Sequence, residues 1–158
     1  MQIPHELIVA GIAALPVGEL RVAIPVAMAV YKMSVWSAFL WALIGNLIPI
    51  VFIILGLDLL INKLLIRKIP IFNKFFNWIF QRTQRKYTKN IERWKDLALM
   101  IFVAIPLPGT GAWTGALIAF VFGIPLKRAF PAIAAGVLIA GIVVSLITLG
   151  IINLPLIK

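Results

Sequence analysis

Ile105-Pro-Leu-Pro-Gly-Thr-Gly-Ala-Trp-Thr-Gly115 sits inside an apolar run that carries no charge from Leu97 to Leu126. A run of that length predicts a membrane-spanning helix. Its middle holds Pro106, Pro108, Gly109 and Gly111, the residue types least able to continue one. A helix broken at membrane depth is tolerated only against protein or a water-filled cavity. The stretch therefore reads as the tip of a re-entrant hairpin or the break in a discontinuous helix. The plainer alternative is a proline-kinked helix with a small-residue packing face.

Composition agrees with a membrane setting. Of 158 residues, 63% are hydrophobic, far above the roughly half-apolar usage of soluble domains. A chain this short has too little interior to hide so much apolar surface. One compact membrane domain is expected, in the plasma membrane and multi-pass, with no soluble part large enough to carry a separate active site. There is no cysteine and one histidine, His5, so no metal site and no cofactor are expected. His5 reads as a solvated end group. The first apolar run lacks the basic lead of a signal peptide.

The formal charge of +10 is concentrated: ten of the fifteen basic residues lie between Lys63 and Lys95. Between membrane spans such a segment is first a topology signal, next a contact for anionic lipid head groups, and only last a nucleic-acid site. No nucleic-acid partner is expected. The segment is also aromatic. Phe76, Phe80, Thr83, Tyr87, Ile91, Trp94 and Ala98 recur every three or four residues, which makes one helical face. It reads as an amphipathic helix on the membrane surface or on the protein's own spans.

A second interrupted segment precedes these. Leu7 to Leu15 is apolar and then meets Pro16-Val-Gly-Glu-Leu-Arg-Val-Ala-Ile-Pro25. Val35 to Leu57 and Ala129 to Ile157 are uncharged and long enough to span. Sliding the first half onto the second by 91 residues brings Gly18 to Gly109, Phe39 to Phe130 and Gly45 to Gly136. Identities come cheaply in apolar sequence; the repeated layout of broken segment, polar hinge and long span is the stronger sign. The expected architecture is all-α with two inverted repeats, 7–62 and 97–157. Each is a re-entrant helical hairpin followed by a transmembrane helix, and a cytoplasmic basic connection, 63–96, joins them. A site at the broken elements fits transporter-type repeats. Four full spans remain the alternative, but hairpins put Lys127-Arg128 on the same side as the basic connection.

Glu19 and Arg21 are the one acid and one base inside the first broken segment. A charge near the bilayer centre costs roughly 2.5–3.5 kcal/mol on insertion scales, so the two need partners or a use. Two apart, they do not face each other on a regular helix. At a break, or across to the second unit, they can pair. The functional reading makes Glu19 a proton carrier and Arg21 a bidentate binder of an anionic group. The structural reading makes them a buried ion pair. In the second unit, backbone amides freed around Pro108, Gly109 and Gly111 can hold an anion. Thr110 and Thr114 add hydroxyls, Asn46 can face the same cavity, and Trp113 serves as lid, contact or packing. Gly111 and Gly115 also form a G-x-x-x-G pattern, which more often marks packing.

Gly18-Glu-Leu-Arg-Val-Ala-Ile-Pro25, Gly45-Asn46 and Ile105–Gly115 resemble the small multidrug export protein family. The likeness spans most of the chain except the basic connection. The layout is similar to that of the broader DedA/VTT group of lipid transporters and scramblases, with paired hairpins and an acid–arginine pair. That likeness is architectural and implies a phosphate-bearing lipid as one substrate class. The expected function is a small secondary transporter, proton-coupled, moving an amphiphilic or anionic substrate, and not an enzyme. The alternatives are an exporter of cationic drugs that relies on Glu19 and aromatics, and a non-transporting scaffold or assembly protein. A second copy, as a homodimer, is the expected protein partner.

Overall fold

The computed structural model describes residues 3–59, 89–107 and 109–152. Their regular elements are helices: α1 (His5–Ala14), α2 (Glu19–Ala29), α3 (Val35–Leu59), α4 (Lys89–Ala104), α5 (Ala112–Val121) and α6 (Leu126–Ile152). Two units repeat one order of helix, break, helix, turn and long helix.

The ends of these helices follow from local chemistry. Leu15 precedes Pro16 and is extended, with ψ 143°, because the proline ring disfavours helix in the residue before it. α4 likewise stops at Ala104, just ahead of Ile105-Pro106. The first break is narrower than its prolines imply. It occupies Leu15–Gly18, and Pro25 lies within α2. An interior proline forfeits one backbone hydrogen bond, and here packing on α1, α3 and α6 holds the helix together. Pro49 and Pro131 are housed in the same way inside α3 and α6. After α5, Gly123 at φ 65° closes a Schellman turn. Ile124 N–H donates to Ala119 O and Gly123 N–H to Phe120 O.

The 91-residue shift has structural counterparts. It carries the first residue of α3, Val35, onto the first of α6, Leu126. It carries Lys32, at φ 52°, onto Gly123, so both second turns use a left-handed residue. Gly45 and Gly136 also correspond. A Cβ on Gly45 would lie 2.1 Å from the Ala10 carbonyl oxygen of α1, and one on Gly136 would lie 2.6 Å from that of Met100 in α4. Each long helix thus presses a glycine onto the first helix of its own unit.

Each hairpin closes on itself. The His5 and Tyr31 rings, at the start of α1 and just past α2, lie 4.6 Å apart. In the second unit Arg128 Nε, in the first turn of α6, donates to Asp96 Oδ2 on α4 at 2.9 Å. The first hairpin therefore begins and ends at one place, the second returns to a point part-way along α4, and these closures are the two mouths. α3 and α6 run antiparallel: a Cβ on Gly141 would meet the Phe39 ring at 2.6 Å, and Ser145 and Leu149 share a groove with Val35 and Trp36. The two mouths consequently lie at opposite ends of the α3–α6 pair.

The interior is rich in small residues and the surface in large apolar ones. Ala13, Ala23, Ala27, Ala38, Ala42, Ala112, Ala116, Ala119 and Ala129 have no exposed surface. Small side chains let backbones approach closely, which drives helix association in lipid. Outside, Trp36, Leu40, Ile44, Ile48, Phe52 and Leu55 form an exposed stripe along α3, and Ile139, Ile142, Leu146 and Ile147 are exposed on α6. Two helices are long and apolar enough to cross a membrane, Val35–Gly56 and Leu126–Ile152, with mean hydropathies of 2.5 and 2.6.

Most of the expected amphipathic connection lies outside the described residues. Its last part, from Lys89, is continuous with α4, so no break falls at the boundary between 96 and 97. Trp94 and Ala98, on its expected apolar face, are exposed.

Candidate functional site where the hairpin tips meet

The two breaks face each other, and the polar residues of the first reach across to the second. Glu19, the first residue of α2, is buried. Its two carboxylate oxygens each accept one backbone N–H: Oε2 from Ala112 and Oε1 from Trp113, both at 3.2 Å. These amides begin α5, where unpaired donors and the positive end of the helix dipole favour a negative charge. Glu19 takes this position with φ 49°, a left-handed state that costs a non-glycine residue about 1–3 kcal/mol.

Arg21 does the converse. Its Nη1 donates to the Leu107 carbonyl, and its Nη2 to Thr110 Oγ1 at 3.0 Å and, more weakly, to the Ile105 carbonyl at 3.4 Å. The carbonyls lie just past the end of α4, where a cation is favoured. The acid thus caps one side of the second break and the base the other. In place of the ion pair of the structural reading, Glu19 and Arg21 make two separate docks on the other hairpin. Arg21 Nε is buried without a partner among the described residues.

Thr110 closes the tip. Its hydroxyl lies 2.6 Å from the Ile105 carbonyl and 2.8 Å from that of Leu107, and it accepts the Leu107 N–H at 3.2 Å. Gly111 is demanded twice over. Its backbone sits at φ 145°, ψ −174°, a region essentially reserved for glycine. A Cβ there would also lie 2.3 Å from Glu19 Oε2. Trp113 adds a third tie, its indole N–H donating to the Ala14 carbonyl at the end of α1 at 3.3 Å. That makes it a strut between the hairpins. Gly115 packs on Val103 of α4, which a Cβ would approach to 2.6 Å.

A cavity of about 300 Å³ opens at this junction, lined by Pro16, Val17, Gly18, Glu19, Arg21 and Val22 from the first hairpin and by Pro106, Gly109, Thr110 and Thr114 from the second. Of the residues expected at the site, Glu19, Arg21, Gly109, Thr110 and Thr114 line it, and Gly111 and Trp113 stand behind Glu19. Pro108 lies outside the described residues. Asn46 does not line the cavity. It is fully buried one residue past the Gly45 contact, with neither amide atom hydrogen-bonded among the described residues. Pro16, Val17, Gly18, Val22 and Pro106 complete the wall. Their sequence signal was their place at the two breaks, not any polar chemistry.

A family model described as "Putative small multi-drug export protein" matches residues 19–143, from the cavity glutamate to deep in α6. Comparisons with curated proteins and with solved structures give no match. With two helices long and apolar enough to cross a membrane the protein is a membrane protein, and it belongs to the small multi-drug export family.

Proposed function

We propose that this chain is a small proton-coupled secondary transporter that moves an anionic amphiphile through the cavity between two re-entrant hairpins. α1, α2 and α5, of 10, 11 and 10 residues, are about 15 Å long, roughly half the hydrocarbon core of a bilayer. Hairpins of that depth, with mouths at opposite ends of α3 and α6, suit inverted repeats that enter a plasma membrane from its two sides and meet near the midplane. The closeness of Asp96 and Arg128 supports one shared side for the basic connection and the Lys127-Arg128 hinge, taken as the cytoplasm.

The observation that carries this reading is that Glu19 and Arg21, from one tip, both clasp the other tip and border one cavity. In the proposed cycle Arg21 and the Thr110 and Thr114 hydroxyls bind the anionic group. Glu19 carries the proton, and contacts between the tips break and re-form as access alternates. Export of cations is less well supported. Both Glu19 oxygens are taken by amides, and among the described residues no aromatic side chain lines the cavity. Reconstituted proteoliposomes under an imposed proton gradient test the proposal. An anionic amphiphile should move with the gradient and stop on adding a protonophore, while movement of hydrophobic cations alone would refute it.

A further inference from the structure

We propose that α3 hinges at its Gly45–Pro49 turn and that the hinged state brings the Asn46 carboxamide to the cavity, as a further hydrogen-bond donor to the substrate's anionic group. This deepens the transport reading and rests on it. Asn46 has no exposed surface, and among the described residues neither Oδ1 nor Nδ2 has a hydrogen-bond partner. An amide without partners in an apolar interior forfeits the bonds it makes with water, and native interiors leave few such groups. Packing does not call for it. Asn46 lies between Ala42 and Ile50 on the buried face of α3. The 91-residue shift sets Val137 and Ala140 of α6 opposite Asn46 and Pro49, and both are buried. The second unit thus fills the same positions with plain apolar side chains. The first keeps an amide that is costly in this conformation, as a group does when its partner belongs to another one.

The helix is weakest at this turn. Pro49 lies inside α3 and has no N–H to give to the Gly45 carbonyl, its acceptor four residues back. Proline is a principal cause of helix kinks. Gly45 is also where the first hairpin bears on α3, since a Cβ there would lie 2.1 Å from the Ala10 carbonyl oxygen. A lean of that hairpin therefore acts on α3 at the turn least able to resist it. The cavity is close by. Ala14, one turn beyond Ala10 on α1, takes the Trp113 indole N–H, so the Gly45 contact lies about 5 Å in depth from that tie. α3 also packs on α5, which carries Trp113 and the cavity residue Thr114. When the Trp113 tie releases as access alternates, the hairpin leans on Gly45, α3 bends, and the seam beside α5 opens to the Asn46 Nδ2–H.

The chain has no cysteine, so single thiols report without background. The test labels Asn46→Cys and Ala42→Cys, one turn apart on the same buried face, in proteoliposomes with the anionic reagent 2-sulfonatoethyl methanethiosulfonate. A local hinge predicts that position 46 reacts at least about tenfold faster than position 42. Adding Pro49→Ala, which restores the missing hydrogen bond, should bring position 46 down to the rate at 42. Equal rates at the two positions, or a rate at 46 that Pro49→Ala leaves unchanged, overturns the hinge. Asn46→Leu decides the role of the amide whether or not Asn46→Cys folds. It removes the unpaired group and should unfold about 2 °C or more above wild type, yet carry an anionic amphiphile at least about tenfold more slowly. A less stable Asn46→Leu, or one with wild-type flux, overturns the assignment. Wild-type flux with equal labelling at 42 and 46 would leave the transport reading standing without the hinge. Labelling at 46 that depends on Pro49, in a protein that moves no anionic amphiphile, would do the reverse.

Discussion

Replacing Gly111 by alanine should undo the carboxylate dock without touching a charge. The new Cβ would lie 2.3 Å from Glu19 Oε2 and 2.7 Å from Oε1, where real Cβ contacts do not fall below 3.0 Å. The carboxylate must retreat by about 0.7 Å, which stretches its 3.2 Å hydrogen bonds toward the limit of useful geometry. Losing such bonds to a charged acceptor costs about 1.5–3 kcal/mol each. The backbone at φ 145° adds about 1–3 kcal/mol of strain for a side chain. Because the cavity lets the freed carboxylate be partly rehydrated, the expected loss is about 3–6 kcal/mol in reversible unfolding in detergent. Gly109→Ala is the matched control. Its φ is also positive, at 84°, but a Cβ would meet nothing within 4 Å, so only about 1–2 kcal/mol of backbone strain applies. Adding Glu19→Ala to Gly111→Ala removes the clash, so the double variant should lose less than the sum of the single losses. Equal effects of Gly109→Ala and Gly111→Ala, with no coupling to position 19, would refute the docked carboxylate.

Three further outcomes are expected. Gly45→Ala and Gly136→Ala, which drive a Cβ into the backbones of α1 and α4, should each lower stability by about 2 kcal/mol or more, whereas Gly56→Ala, with open space around it, should be neutral or stabilising by about 0.5–1 kcal/mol; the same unfolding measurement reads all three. Reporter fusions at Met1 and Lys158 should both place the termini away from the cytoplasm, and cytoplasmic signals from both would favour four full spans. Fluorescence of Trp94, which is 69% exposed, should be quenched by lipid-borne quenchers at shallow depth; quenching by aqueous agents alone would reject membrane docking of that face.

Backbone chemistry made the outline of this fold readable. Proline-preceded residues such as Leu15 end helices by a local clash, and the spacing of Gly45 and Gly136 marks where each long helix lies on its own hairpin. The first break ends short of Pro25 because a proline inside a helix costs a bounded amount, and the packing of α2 on its neighbours overrides it there. The partners of Glu19 and Arg21 were outside local reasoning altogether. They lie some 90 residues away, on amides and carbonyls that any sequence possesses and only a particular break leaves unpaired. As a polar residue in an apolar span Asn46 is a candidate for the cavity, but polarity does not say which face of α3 it occupies.

Whether Glu19 carries the proton is decided by proton-driven uptake through Glu19→Gln, measured beside its thermal stability on one preparation. Glutamine keeps the size of the side chain and removes the titratable group. The transporter account predicts a folded protein whose flux no longer follows the proton gradient. Wild-type coupled flux from a stable Glu19→Gln protein would contradict it.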